Sequence, residues 1–328
     1  MSLALTQAVR SLARGLGFDA CGIAPVFSLE EAPPNSPAAL AYQRYLRWIE
    51  EGKHADMHYL AENPKLRSTP ESLLPQGKSL VFVLQSYFHT KRAVSVIAQY
   101  AWGKDYHTSI RRRLQIIADY LMRHGAQARP FVDSAPILEK AWAVEAGLGW
   151  IGKNTLLIHP KLGTYTFIGG VITTAELLPD EPFQESLCGT CQRCIEACPT
   201  GALTPYQIDA RRCIAYWTIE APSLSENAPS TGKWVFGCDI CQQVCPWNRF
   251  ARPQGELDFR PKAEVFLPPA AWAILSRSQL KKIQQGSALR RARPEKIQHL
   301  AQLAHERISV VPRWQKVFFD SSGTEPTN

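Results

Sequence analysis

Four cysteines, Cys188, Cys191, Cys194 and Cys198, follow one another at C-x2-C-x2-C-x3-C, with a proline after the last. A second set, Cys238, Cys241 and Cys245-Pro246, lies in "GCDICQQVCPWN", and Cys213 stands between the two. Thiols at such intervals are metal ligands. In the long run's pattern, three cysteines bind one [4Fe-4S] cubane and the fourth reaches across to another. Crossing the last cysteine of each set predicts one cluster on Cys188, Cys191, Cys194 and Cys245 and a second on Cys198, Cys213, Cys238 and Cys241. Zinc is the competing ligand for C-x2-C pairs, and Cys213 alone has the alternative of a buried structural thiol. Cys21, in the strand-like "FDACGIAP", reads as core. In a reducing compartment nine cysteines do not form a disulfide framework.

Clusters pass electrons one at a time, so bond chemistry needs other residues. Asp133 sits at the end of the strand-like "ARPFVD", ahead of a helical stretch bearing Glu139, Lys140 and Glu145. One reading makes it the N-cap of that helix. The other makes it a general acid whose pKa is raised by an apolar neighbour. "GLGWIG" does not fit a dinucleotide fingerprint, which requires G-x-G-x-x-G after a strand. "DMHYLA" and "DYHTSI" match half of the corrinoid D-x-H-x-x-G signature but carry Ala61 and Ile110 in place of its glycine. His58 and His107 are therefore read as surface or core residues.

The formal charge is +8; eight thiolates around two cubanes would bring it to about +4. The excess is concentrated in "IRRRLQ" and "ALRRARPEK", which suits either a polyanion or solvated helix faces. No apolar run approaches the roughly 20 residues that span a bilayer. The start "MSLALTQAVRSLARGLGF" reads as an amphipathic helix carrying Leu5, Val9, Leu12 and Leu16, not as an export signal. The expected location is the cytoplasm.

Periodicity predicts a buried strand at "SLVFVLQSY" and a helix over "SIRRRLQIIADYLMRHG" with Ile110, Leu114, Ile117 and Leu121 on one face. "NTLLIHP" and "TYTFIGGVITT" are expected to pair as a hairpin around "KLGT", and "LLPDEPFQES" to be a linker. Beyond the cysteines, "AAWAILSRSQLKKI" and "PEKIQHLAQLAHERI" read as helices and "DSSGTEPTN" as a frayed tail.

"VDSAPILEKAWAVEAGLGWIGKNT", "CGTCQRCIEACPTGAL", "RRCIAYWTIE" and "FGCDICQQVCPWN", with "LRSTPESLLPQGKS" and "YAWGKDYH", together resemble the epoxyqueuosine reductase family of tRNA-modifying enzymes. The resemblance runs from about residue 3 to residue 250. It implies an α+β chain: a mixed α/β cobalamin-binding catalytic domain over residues 1–178 and a two-cluster ferredoxin-like domain over 179–250; the residues beyond, 251–328, read as a helical extension and a disordered tail. The resemblance implies cobalamin without a protein histidine on cobalt, two [4Fe-4S] clusters and a tRNA substrate carrying epoxyqueuosine; an unidentified electron donor and a monomer off the membrane are the remaining expectations. Asp133 would be the proton donor. Corrin contacts would fall on Arg67, Ala98, Asp133, Leu157, Ile168, Ala215 and Asp239. From charge and aromaticity, Trp217, Lys233, Arg290 and Arg291 are candidates for tRNA contact. A reductive dehalogenase-like corrinoid enzyme and a plain ferredoxin-type carrier are the rival readings.

Overall fold

The computed structural model describes residues 2–33, 36–89 and 94–310; the tail "DSSGTEPTN" lies outside the described residues. At the centre is a four-stranded sheet ordered Ala20–Pro25, Ser79–Ser86, Thr166–Thr173, Ala128–Phe131. Every pairing in it is antiparallel. The central strand Ser79–Ser86 is buried along its whole length. Because successive side chains of a strand point to opposite faces, Val81 and Val83 enter one core and Leu80, Phe82 and Leu84 enter another. A strand covered on both faces reads as an unbroken apolar run, which is what "SLVFVL" is.

The first core receives the helices Leu3–Gly15 and Tyr106–Arg123, through Val9, Ala13, Ile110, Leu114, Ile117 and Leu121. The second core receives Pro37–Glu50 and Glu139–Glu145, through Tyr42, Trp142 and Val144. Helix Tyr106–Arg123 starts earlier than its apolar periodicity indicates, because the Asp105 carboxylate accepts from the backbone N–H of His107 at 3.1 Å and caps it.

Two expectations about elements are corrected. "NTLLIHP" and "TYTFIGGVITT" do not form a hairpin. Leu157–Ile158 pairs instead with Trp150–Ile151, while Thr166–Thr173 is used by the two strands flanking it in the sheet. An isolated bridge, His159 to Gly163, closes the turn between them. "AAWAILSRSQLKKI" is two helices, Pro269–Ile274 and Arg277–Gln284. Ser276 and Gln279 form a capping box, their side chains satisfying each other's backbone N–H groups, and this starts a new helix.

The cysteine-bearing region is built from short pieces, including the single turns Arg193–Glu196 and Ile240–Gln243. The helices that follow it do not stand apart. Trp272, Leu280, Leu289, Ile297 and Leu300 share one core with Val96, Ile97, Trp102, Val235 and Phe236. Among the described residues no helix is long and apolar enough to cross a membrane.

Asn248, 1% exposed, ties the cysteine region to the sheet domain. Its Oδ1 accepts from the backbone N–H of Thr164 at 2.8 Å, and its Nδ2 donates to Gln242 O at 2.6 Å and Thr164 Oγ1 at 3.0 Å. The side chain lies so close to Gly163 that a Cβ there would meet Oδ1 at 2.1 Å. Asn248→Ala therefore strands buried donors and acceptors at the junction, at a cost of about 1–3 kcal/mol. Chemical denaturation of the cofactor-loaded chain is expected to show a lower midpoint for this variant; an unchanged midpoint would show that the junction does not depend on Asn248.

Candidate functional site

Cys188, Cys191, Cys194 and Cys245 line one cavity of about 70 Å³, although Cys245 is far from the others in sequence. Lys153 Nζ donates to Gly189 O at 2.7 Å and Cys191 O at 3.0 Å, fastening the turn that carries the first two thiols. Burial, reinforced by Cys188, Cys194 and Cys191, pushes the Cys245 thiol up to about 11. Burial likewise lifts Cys238 to about 12, with Cys213 and Cys198 among the groups opposing its ionisation. Cys198 Sγ accepts from the backbone N–H of Ala202 at 3.4 Å. Among the described residues no three His, Cys, Asp or Glu side chains gather as they would around a single ion. Tetrahedral zinc draws its sulfurs to about 2.3 Å, so thiols ringing a cavity fit a larger group. Four thiols that converge on one cavity from separate segments suit an iron–sulfur cluster, whose iron would offset part of the thiolate charge.

The second centre is the cleft at Asp133. The strand Ala128–Phe131 ends two residues earlier, and Asp133 takes φ +58°, a left-handed conformation uncommon outside glycine. The conformation is held from several sides. The Asp133 N–H donates to Glu139 Oε1 at 2.7 Å. Its Oδ2 accepts from Tyr106 OH at 3.0 Å and lies 2.9 Å from His107 Nε2. His107 Nδ1 lies 2.7 Å from Asp105 Oδ1, so the imidazole bridges two carboxylates. Tyr106 is itself stacked between His107 and Phe167, with ring centroids 4.1 and 4.2 Å away.

This arrangement corrects the N-cap reading of Asp133 and the expected direction of its pKa. It is not an N-cap, since the helix begins at Glu139. Its pKa is not raised in the free chain: hydrogen bonding from His107 outweighs desolvation and holds the carboxyl below its ordinary range. Burial opposes charge on His107, but hydrogen bonds to Asp105 and Asp133 prevail and lift its pKa to about 9. At neutral pH the proton between the two therefore belongs to the imidazole. Glu139 is moved the other way. Desolvation, then the nearby Asp133 charge, pushes it up to about 8. Neighbouring acids with oppositely displaced pKa values are a mark of acid–base sites.

Asp133, Glu139 and Lys140 open onto a cavity of about 360 Å³, walled on its other side by Arg67, Tyr45 and Trp48. This volume lies in the range of small-molecule sites. The Arg67 Nη2 donates to Tyr59 O at 3.1 Å, but its Nε is buried without a partner. Arg67 lines this ligand-sized space, and its guanidinium charge fits the amide or phosphate oxygens of a corrinoid.

The other predicted corrin contacts do not line this cavity. Ala98 packs with Ile214 and Trp234 beside Cys238, and Gly237 at φ +71° lies so near that a Cβ there would meet the Ala98 Cβ at 2.5 Å. Asp239, 2% exposed, accepts from the Gln99 N–H at 2.8 Å. Leu157 is buried in the second core, and Ile168 packs against it. Ala215 is half-buried. Of the candidates for tRNA contact, Trp217 donates to Arg211 O at 2.7 Å, and exposed Lys233 lies over the Trp234 ring. Arg290 pairs with Asp105 at 3.2 Å and Arg291 with Glu220 at 2.8 Å. Asp105, Tyr106 and His107 were passed over in sequence as a broken corrinoid signature; the cap position of Asp105 was the signal that they begin a helix.

Two family models match: "4Fe-4S double cluster binding domain" over residues 187–248, and "Epoxyqueuosine reductase QueG, DUF1730" over residues 67–134. Epoxyqueuosine reductase of Cyclobacterium marinum is 40% identical over 306 residues, covering 89% of this chain and 94% of the relative. That of Leadbetterella byssophila is 40% identical over 270 residues, covering 79% and 85%. A crystal structure of epoxyqueuosine reductase with an epoxyqueuosine-modified tRNA-Tyr stem loop superposes with TM-score 0.82 at 27% identity, covering 94% of this chain and 82% of that one. The chain belongs to the epoxyqueuosine reductase family.

Proposed function

We propose that the chain reduces epoxyqueuosine to queuosine at the wobble position of tRNA, in the cytoplasm and as a monomer. The observation that carries the assignment of the site is Asp133, held at positive φ between Tyr106 and His107 at the mouth of the cavity that Arg67 enters. The reaction takes an epoxide, two electrons and two protons to an alkene and water. Cys188, Cys191, Cys194 and Cys245 would hold one [4Fe-4S] cluster, and Cys198, Cys213, Cys238 and Cys241 the other. Arg67 and Asp133 would face cobalamin, with half-buried Ile168 and Ala215 offering apolar edges. Enclosed Ala98, Leu157 and Asp239 would shape the wall behind them. When bound, the clusters would supply single electrons and the corrinoid a low-potential metal centre suited to reducing a strained epoxide.

The chain's own task is to deliver a proton where oxygen departs. Asp133 faces the cleft with its side chain 59% exposed, whereas His107 stands behind it. Asp133 Oδ2 is the point from which a proton leaves, and His107 Nε2 is the store that refills it. Asp105 keeps the imidazole turned toward Asp133 and favours its charged form. A substrate closing the cleft would strip water from Asp133 and so raise its affinity for that proton. Glu139, fixed on the Asp133 N–H, holds the loop and its left-handed turn in place. Trp217, Lys233, Arg290 and Arg291 would receive the RNA, whose target base has to leave its stack to enter a cleft.

Asp133→Asn keeps the shape and loses the acid. Turnover on epoxide-bearing stem loop should fall by about 10²–10⁴-fold, with cobalamin binding and iron content unchanged; near-normal turnover would remove Asp133 from the role. The pH dependence tests His107. The proton on His107 is held until pH rises through about 9, so kcat/KM should decline above that value. Its charged state also stabilises the fold, fully below the ordinary imidazole range and no longer once pH has passed about 9. In His107→Gln, Asp133 loses the group that recharges it. The alkaline limb should then move to lower pH, and a profile identical to wild type would exclude the relay. RNA binding to a basic surface should also weaken about tenfold or more between about 50 and 200 mM salt; filter binding that hardly changes would count against phosphate contacts.

A further inference from the structure

The first cysteine tetrad lies close to an exposed surface unlike the rest of the site. Its cavity shares Cys245 and Pro246 with a shallow groove that also contains Arg193, Glu196 and Arg249. Around the two hollows the cations Lys153, Arg193 and Arg249 are set against one acid, Glu196. Neither Arg193 nor Arg249 pairs with a carboxylate among the described residues. Arg249 instead lies over the Phe250 ring at 4.5 Å. Phe250 and Leu187 are 45% and 43% exposed. Charges left unpaired around bare apolar side chains, against a cluster-sized cavity, do not serve the fold. The Asp133 cavity shares no lining residue with either hollow.

We propose that this face is the docking surface for a small acidic one-electron carrier protein, which reduces the cluster held by Cys188, Cys191, Cys194 and Cys245. The inference rests on the cluster assignment above and adds the electron donor's chemical class and place of contact. Arg193, Arg249 and Lys153 would steer an acidic partner, and Leu187 and Phe250 would give it a dry centre. Transient electron-transfer encounters use small interfaces guided by complementary charge. Each encounter oxidises the carrier by one electron and reduces the cluster by one. Two encounters supply the electrons for one epoxide, which takes up two protons and leaves an alkene and water. RNA is the other polyanion such a surface could meet, but the exposed apolar pair and the adjacent thiols favour a redox protein.

The test uses the full chain with its cofactors and reduced flavodoxin as the probe. Affinity is read by calorimetry, and cluster reduction by stopped-flow bleaching, at about 50 and 300 mM salt. Wild type should bind, and bind more weakly at the higher salt. Arg193→Glu/Arg249→Glu should weaken binding and slow flavodoxin-driven bleaching by about tenfold or more, and Arg193→Gln/Arg249→Gln by less. Turnover driven by reduced methyl viologen, which needs no docking, should be unchanged in both variants with iron content intact. Absence of flavodoxin binding by wild type, or equal binding by the charge-reversed variant, overturns the proposal. So does a charge reversal that weakens stem-loop binding while leaving flavodoxin untouched, because the surface would then be an RNA site. Loss of methyl viologen-driven turnover in wild type would instead strike at the proposed activity, leaving the binding and bleaching comparison to stand by itself.

Discussion

The constraint on which the site depends is the cost of keeping several charges together in a half-closed cleft. Asp105, His107 and Asp133 meet this cost by alternating acid, imidazole and acid, so every hydrogen bond in the row joins opposite charges. Remove the imidazole and two carboxylates are left with no cation between them. Arg290 neutralises the far end through Asp105. Tyr106 fixes the near end while its ring is pinned by Phe167. The row is thereby anchored to the sheet's first core, where Phe167, Ile110 and Leu114 pack. The position of the Asp133 carboxylate is set by apolar packing several residues away.

The cysteine cavity and the Asp133 cleft are separate in this chain and share no lining residue. The cavity of Cys188, Cys191, Cys194 and Cys245 is enclosed by short turns, whereas the Asp133 cleft is supported by long helices and a sheet. Asn248 joins the two with a side chain of the cysteine region saturated by backbone and hydroxyl groups across the junction. A polar clamp suits such a junction, because an amide enforces one register where an apolar contact would tolerate sliding.

Local patterns were legible, and apart from Cys245 the distant partnerships were not. Cysteine spacing is a local code, and Cys188, Cys191 and Cys194 meet as it indicates, with Cys245 completing their cavity. The central strand announced its double burial by an unbroken apolar run. Asp133 could be singled out by its strand-end position, but its charge state depends on His107, which arrives from another element. The supposed hairpin failed because both of its segments found better partners elsewhere. The split after Ile274 was written as S-x-x-Q at Ser276, yet helical periodicity on both sides masked it. Asn248 gave no signal, since one asparagine after a tryptophan has no pattern of its own.

The shared core of Trp102, Phe236, Trp272 and Leu289 bears on how small such an enzyme can be. A chain shortened after Phe250 would lay bare a greasy wall on the very segment that introduces Asp105, and would discard the guanidinium that keeps that aspartate in check. The last helices are thus a buttress for the acid's backing residues, and catalytic minimalism stops on their far side.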